Sequence, residues 1–447
     1  MQNANRRFHD TTVDKTKKSF FEFLGAPNLW FGELLYGIHE GYIQNGRSIT
    51  EILVCENMEV RVSILKSYIP CHCKDGANEG ELFMPNKVQI LAAVDQFVEY
   101  TKDPENAKTD LYGRSIDFSF QVYGLGIFRV NFSHGNEGCS LSMRYLPFDV
   151  PSLELVGYPE MYRKFFSSII QPVSITTPPV CSDDFYISVG GYKQAASFKN
   201  PVLDGLPLFV PKAGGGLVIH IGATSSGKTT AMGSEIAALA NKTSGLILTY
   251  EDPVEFIHVS TLAPVQSFEI GRDLRANSDF TQSEVIQRHA LRRNPSVIMF
   301  GELRTKEQMR LAVDLSNRGH WVFASMHGND CFEGISVLAA IYKDEPYLLA
   351  NALKCAISHR LSTTSDGKIF PLFEIYIPDT SGKKHLADGK PGEIKNLMNK
   401  KFKDNYCSFY DSLDHMISTN RVLFSEKEAI ASSVLGIDLS QKEEEVK

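Results

Sequence analysis

The stretch Leu217-Val-Ile-His-Ile221-Gly222-Ala223-Thr224-Ser225-Ser226-Gly227-Lys228-Thr229-Thr230 decides how this chain is read. A short, mostly apolar run that suits a buried strand enters a turn bounded by glycines. The turn opens a helical stretch, Thr230 to Asn241. Residues 222–229 fit the pattern GxxxxGK[ST]. Its glycines let the backbone wrap an anion with the N–H groups turned inward, and the helix start adds a positive end. Lys228 would then reach the β- and γ-phosphates of a nucleotide, and the Thr229 hydroxyl would hold Mg²⁺. A glycine-rich strand–helix turn without a ligand is the plain alternative, and the strand before and helix after argue against it.

Downstream the theme repeats. Gly245-Leu-Ile-Leu-Thr-Tyr250, Val297-Ile-Met-Phe300 and His320-Trp-Val-Phe-Ala-Ser325 are short apolar runs separated by helix-like segments, which implies a parallel α/β sheet. Three of its strands end in chemistry. Tyr250-Glu251-Asp252-Pro253 places carboxylates at a carboxyl end, where they face the ligand crevice. Glu251 could polarise an attacking water with Asp252 in support, or both could be solvated acids. Ile298-Met-Phe-Gly301-Glu302-Leu-Arg304 has a Walker B-like acid, Glu302, placed to hold Mg²⁺ through water or to orient the nucleophile. An acid at a helix start is the other reading. Gly319 to Asp330 carries His327 at the crevice end, able to sense the γ-phosphate, and His320 at the opposite end, where a structural role is the simpler reading. No NKxD base-reading segment accompanies the loop, since Asn241-Lys-Thr-Ser lacks the Asp. A phosphate loop alone establishes nucleotide binding and leaves the function open.

The upstream half is strand-rich. Ile52 to Cys55 and Met58 to Ile64 read as strands, and Ile116–Val122, Gly126–Phe132 and Cys139–Tyr145 alternate as an antiparallel sheet would. Asn86 to Tyr100 has apolar residues at helical spacing: Val88, Leu91, Val94, Phe97 and Val98. Residues 148–215 are rich in proline and end in Gly214-Gly-Gly216, a composition suited to linkers and loops. Beyond 380 the chain is polar and reads as helical, with a charged tail from Gln441 to Lys447.

Composition narrows the classes further. The chain has 447 residues, with 46 Lys+Arg against 53 Asp+Glu, so 46 − 53 gives −7. Hydrophobic residues at 43% and charged residues at 22% fit a globular protein of two or three domains and exclude a disordered or collagen-like one. The net negative charge speaks against non-specific nucleic-acid binding, so no direct DNA binding is expected. No run of about 18 apolar residues is present, so no transmembrane segment is expected. Eight scattered cysteines with no CxxC pair argue for a reduced, cytoplasmic setting and against a zinc ribbon. Cys71-His72-Cys73 has the wrong spacing for a zinc finger and reads as a loop.

Taken in order, these segments resemble the PilT/GspE-type secretion superfamily of ATPases. Thr249 to Phe256 resembles the family's Asp box, Gly301-Glu-Leu-Arg304 its atypical Walker B, and Gly319 to His327 its His box. Ile116-Asp-Phe-Ser-Phe, Gly126-Ile-Phe-Arg-Val-Asn131 and Met143-Arg-Tyr-Leu-Pro147 resemble the N-terminal sheet of that family. Ser358-His-Arg360-Leu and Phe373-Glu-Ile-Tyr-Ile resemble its later segments. The resemblance covers about three quarters of the chain. Arg293-Asn-Pro-Ser296 and Ser267-Phe-Glu269 depart from the family's usual acids and arginine, and roughly 40 residues near 169–212 look inserted. Lack of paired CxxC motifs disfavours the assembly-type branch. The inserted segment and the chain's length suit the DotB/TraJ-like group of type IVB secretion and conjugation at least as well as pilus retraction.

The resemblance implies an α/β fold, a RecA-like P-loop ATPase domain preceded by a PAS-like α+β N-terminal domain. The corresponding boundaries are an N-terminal domain at 1–165, a linker with insertion at 166–215, the ATPase domain at 216–380 and a helical C-terminal region at 381–447. It implies a homohexamer, cytoplasmic and peripheral at the inner membrane, partnered by a platform or secretion-channel protein. ATP and Mg²⁺ would be the ligands, seated by residues 222–230, with Thr229 and Glu302 toward the metal. Arg129 and Arg144 match the arginines that approach the phosphates from the N-terminal domain, joining Glu251, Glu302 and His327 as catalytic candidates. The expected function is a motor for type IV secretion, conjugative transfer or pilus retraction. A RecA-type nucleic-acid translocase and a nucleotide-gated scaffold with little turnover are the alternatives.

Overall fold

The structure is a computed structural model. It describes residues 23–43, 49, 51–64, 67–71, 84–97, 115–122, 125–136, 138–146, 150–173, 186–189, 192–195, 208–256, 258, 260, 262–366, 368–399 and 405–436. The charged tail from 441 and most of the apparent insertion lie outside the described residues.

The first half builds one antiparallel sheet. Its strands are β1 (Glu51–Cys55), β2 (Arg61–Ile64), β3 (Ser67–Pro70), β4 (Ile116–Val122), β5 (Gly126–Gly135) and β6 (Gly138–Leu146), in the order β3-β2-β1-β6-β5-β4. Alternation decides which way each side chain points. Ile52, Val54, Val130, Phe132, Leu141 and Met143 turn to one face, where helices α1 (Leu29–Ile38) and α2 (Lys87–Phe97) cover them. The apolar face of α2 is Ile90, Ala93, Val94 and Phe97, a helical i, i+3, i+4, i+7 set. Val88, expected on that face, sits in the first turn and is 76% exposed. Val98 is outside the described residues.

Two short helices follow, α3 (Leu153–Val156) and α4 (Glu160–Ser168). Ser152 caps the first by accepting a hydrogen bond from the Leu155 amide, and Gly157 closes it in the left-handed region at φ 79°. Their composition suggests a linker, yet Val156, Tyr158, Tyr162, Phe166 and Ile169 pack into the core of the second sheet, beside Met232, Phe323 and Phe373. The large aromatic side chains outweigh the prolines around them. After α4, β7 (Ile170–Val173) leaves the core. The backbone of a hairpin, β8 (Tyr186–Val189) and β9 (Tyr192–Ala195), follows, and β10 (Leu208–Pro211) returns antiparallel to β7.

The second sheet holds β11 (Gly216–Gly222), β12 (Ile247–Glu251), β13 (Val265–Glu269), β14 (Val297–Phe300), β15 (Trp321–Met326), β16 (Leu353–Thr363), β17 (Ile369–Tyr376) and β18 (Tyr406–Cys407). The order is β13-β12-β14-β15-β11-β16-β17-β18. The first six in that row run parallel, and β17 and β18 pair antiparallel at the edge. β11, β12, β14 and β15 are buried along their full length, as strands covered on both faces must be. The covering helices include α5 (Lys228–Ala240), α6 (Gln282–Arg293), α7 (Lys306–Asn317) and α8 (Cys331–Ile341). Thr281 and Thr305 begin α6 and α7 with capping boxes. The expected helical character past 380 appears at Thr380–Ala387, Gly392–Asn399 and Phe409–Ser418. No helix among the described residues is long and apolar enough to cross a membrane.

The two tryptophans, Trp30 and Trp321, divide between the two sheets. Phe97 is fully buried and stacks on Phe120 with centroids 4.2 Å apart. In a Trp321→Phe background, where Trp30 alone reports, Phe97→Ala is expected to destabilise the N-terminal sheet by about 3–5 kcal/mol. Urea unfolding followed by tryptophan fluorescence measures this as a lower midpoint.

Candidate functional site

The loop after β11 is shaped by contacts that leave little freedom. A side chain at Gly222 would meet the Ser226 hydroxyl at 2.5 Å and the His359 carbonyl at 3.0 Å. Ser225 and Gly227 both adopt left-handed φ, 62° and 91°. Gly227 is the N-cap of α5 and supplies no side-chain hydrogen bond. The first amides of that helix therefore keep their donors for another acceptor. Lys228 is buried and donates to the carbonyls of Gly222 (2.8 Å) and Ala223 (2.7 Å). Burial lowers its pKa, Arg144 adds to that, and Glu302 and Glu255 oppose it.

This loop forms the floor of a cleft of about 700 Å³ between the two sheets. Thr224, Ser225, Ser226, Gly227, Lys228, Thr229 and Thr230 line it, whereas Gly222 and Ala223 act from behind, through their carbonyls. Glu251, Glu302 and His327 come to the cleft from the carboxyl ends of β12, β14 and β15. The two glutamates are held differently. Glu251 is 1% exposed; it accepts from the Thr249 hydroxyl (2.7 Å) and the Glu255 amide (3.1 Å), so it shapes the turn that follows β12. Glu302 is more open, with Arg304 Nε at 2.5 Å from one oxygen and His327 Nε2 at 2.7 Å from the other. Arg304 also reaches Asp252 at 3.5 Å. His320 is buried at the far end of the strand, its Nδ1 2.6 Å from the Pro295 carbonyl, and takes no part in the cleft.

The facing wall is the polar side of the N-terminal sheet. Register places Glu51, Arg144 and Arg129 opposite one another across β1, β6 and β5. Alternation adds Asn131, Ser142 and Asp117 to the same cleft. Arg129 crosses to the second unit in an ion pair with Glu255 Oε1 at 2.7 Å. Sequence reading named both arginines and missed Glu255, Arg304, Asn131 and Ser142. The signal for Asn131 and Ser142 was present: each lies two residues from a named arginine, on the same face of a strand.

The loop fits a phosphate-bearing ligand. Gly222 forms a cradle that a methyl group would fill, and the buried Ser226 hydroxyl has no partner among the described residues.

Known proteins share parts of this sequence and its fold. A family model described as type II/IV secretion system protein matches residues 201–377. The type IV pilus retractation ATPase PilT of Pseudomonas aeruginosa is 29% identical over 283 residues, covering 62% of this chain and 67% of its own length. The type IV pilus ATPase PilU of the same organism is 24% identical over 333 residues, covering 73% and 74%. In three dimensions the ATPase DotB of Legionella pneumophila superposes with a TM-score of 0.65 at 18% identity, over 92% of this chain and 97% of its own. The pilus retraction motor PilT with bound ADP gives a TM-score of 0.60 at 21% identity, over 86% and 92%. The mixed α/β fold with its parallel-stranded sheet is the fold of these proteins, and the chain is similar to type II/IV secretion system proteins over residues 201–377 and to the PilT and PilU ATPases over more of its length.

Proposed function

We propose that this chain is a Mg²⁺-dependent ATPase motor, hexameric and peripheral at the inner membrane, that powers type IV secretion, conjugative transfer or pilus retraction. One observation carries the reading: the phosphate loop, the acids at the strand ends and two arginines of the other sheet line a single cleft. A site split between two sheets closes only when they move together, and closure converts hydrolysis into displacement. A PAS-like assignment for the N-terminal sheet, an inner-membrane platform or secretion-channel partner and the ring itself belong to this proposal.

Each residue has a task. The uncapped amides of α5 seat the phosphates, and Lys228 leaves the loop carbonyls to neutralise them. Thr229 and Glu302 would hold Mg²⁺, which when bound offsets charge on the β- and γ-phosphates. Glu302, fixed between Arg304 and His327, orients the attacking water. Glu251 sets the turn carrying Asp252 and Glu255. Arg129 and Arg144 stabilise charge on the transferred phosphoryl group, Arg129 exchanging Glu255 for it.

Lys228→Ala removes a charge-assisted contact of about 1.5–3 kcal/mol and is expected to abolish hydrolysis with an unchanged circular dichroism spectrum. Normal turnover would overturn the phosphate-loop assignment. Glu302→Gln should bind ATP and leave it intact, seen as retained nucleotide without phosphate release. Gly222→Ala, which drives a methyl into Ser226, should weaken binding of a fluorescent ATP analogue by about tenfold or more, about 1.4 kcal/mol. Arg129→Ala and Arg144→Ala should each slow turnover, and light scattering with an ATP analogue should give the mass of a hexamer. A monomer at every concentration with both arginine variants fully active would leave an ATPase without a motor. Turnover stimulated by DNA would favour a nucleic-acid translocase instead.

A further inference from the structure

Behind the phosphate loop, outside the cleft, lies a chain of buried polar groups that the proposed reaction does not use. The Tyr158 and Tyr162 hydroxyls each donate to Glu235 Oε1, both at 2.6 Å. Glu235 Oε2 is 3.0 Å from His220 Nε2, and His220 Nδ1 is 2.8 Å from His359 Nε2. All five side chains are at most 2% exposed. A carboxylate in such a place is stable only when its hydrogen bonds are complete, and an apolar side chain would fill the space at less cost.

The donors run one way. With Glu235 accepting from both tyrosines and from His220 Nε2–H, His220 Nδ1 is an acceptor and His359 Nε2 must donate. His359 Nδ1 is then a bare acceptor, and it is the network's one atom without a partner among the described residues. Burial and the neighbouring His220 hold the His359 pKa well below the usual histidine range, in keeping with a neutral ring.

The four elements joined are those that meet at the loop. His220 lies on β11 just before Gly222, and Glu235 lies on α5 two turns after Lys228. His359 is the register partner of Gly222 on β16. Tyr158 and Tyr162 belong to the connector between the sheets, and Tyr158 also stacks on Phe373 at 4.5 Å. We infer that Glu235 is a positioning residue: it fastens the connector to both flanks of the phosphate loop, so that the connector from Tyr158 onward moves with the loop and the loop's seat depends on it. This rests on the proposed ATPase reading only for its kinetic consequence.

The test uses the full-length chain and two variants. Glu235→Gln puts an amide donor against either His220 or the tyrosine hydroxyls, so the three hydrogen bonds that the carboxylate accepts cannot all be kept. Tyr158→Phe/Tyr162→Phe keeps both rings and removes both donors, which preserves the packing if the first variant fails to fold. Each is expected to lower kcat by about tenfold to a hundredfold, as small misplacements of catalytic groups do, with KM for ATP changed by less than about threefold. The triple variant should lose no more than the worse of the two, because the groups act as one unit. Hydrogen exchange of the nucleotide-free proteins should rise together over residues 158–169 and 222–230 and stay unchanged in β4–β6. Kinetic losses that multiply, or exchange rising in the connector alone, would overturn the linkage. If the wild-type chain hydrolyses no ATP while the coupled exchange is seen, the linkage stands and the ATPase reading fails.

Discussion

The helix that begins at Lys228 starts without a side-chain cap, and the cleft between the two sheets is built over that start. A helix start leaves amides that need acceptors. At four other helices the chain supplies them: Thr281, Thr305, Asp330 and Ser408 cap their own helices. At Gly227 it does not. The loop also takes two left-handed residues in a space where Gly222 has no room for a methyl group. Such a loop holds its shape only because the strand before it and the helix after it are fully built into the core. The length of β11, buried between β15 and β16, is thus part of the site.

Much of this was readable from the sequence, for a physical reason. Parallel strands buried on both faces are short continuous apolar runs, and the chemistry collects at their carboxyl ends. Leu217–Ile221, Val297–Phe300 and their trailing glycine, acid and histidine residues therefore stand out. Arg129 and Arg144 became visible through resemblance, and their placement in one row with Glu51 through register. What was not legible has a common cause. Tyr158, Tyr162 and Phe166 sit in a proline-rich stretch whose local signals indicate a loop, and only the distant strands they cover make them core. Glu235 and His220 lie at positions where an apolar residue would suit the helix and the strand. Nothing local shows that each is partnered, since the partners are 15 to 139 residues away. Glu255 differs again: its role depends on an ion pair spanning 126 residues.

The two glutamates at the strand ends show how similar local sequence yields different chemistry. Both follow an apolar strand and both reach the same cleft. Glu251 spends its oxygens on Thr249 and on the Glu255 amide, which are bonds internal to its own turn. Glu302 is held by two side chains, Arg304 and His327, that can shift without unfolding the strand. Burial separates the two: Glu251 fixes backbone, whereas Glu302 stays partly open to the cleft. A Cβ at Gly301 would press on Glu251 at 3.3 Å, so the bare backbone there lets the end of β14 lie close against Glu251.

The ribbon of β7 and β10 has an architectural consequence. Ile170 pairs with Pro211 and Val173 with Leu208, and the Lys212 carbonyl is held by Trp321. Whatever sequence lies between these strands leaves and re-enters the core at one fixed gate. The entropic cost of a chain closed at both ends grows with the logarithm of its length, about 0.6 kcal/mol for each doubling. Elaboration between 173 and 208 is therefore nearly neutral for the fold. The molecule has a port where new surface can accumulate over evolutionary time while the cleft and the strands beneath it stay as they are.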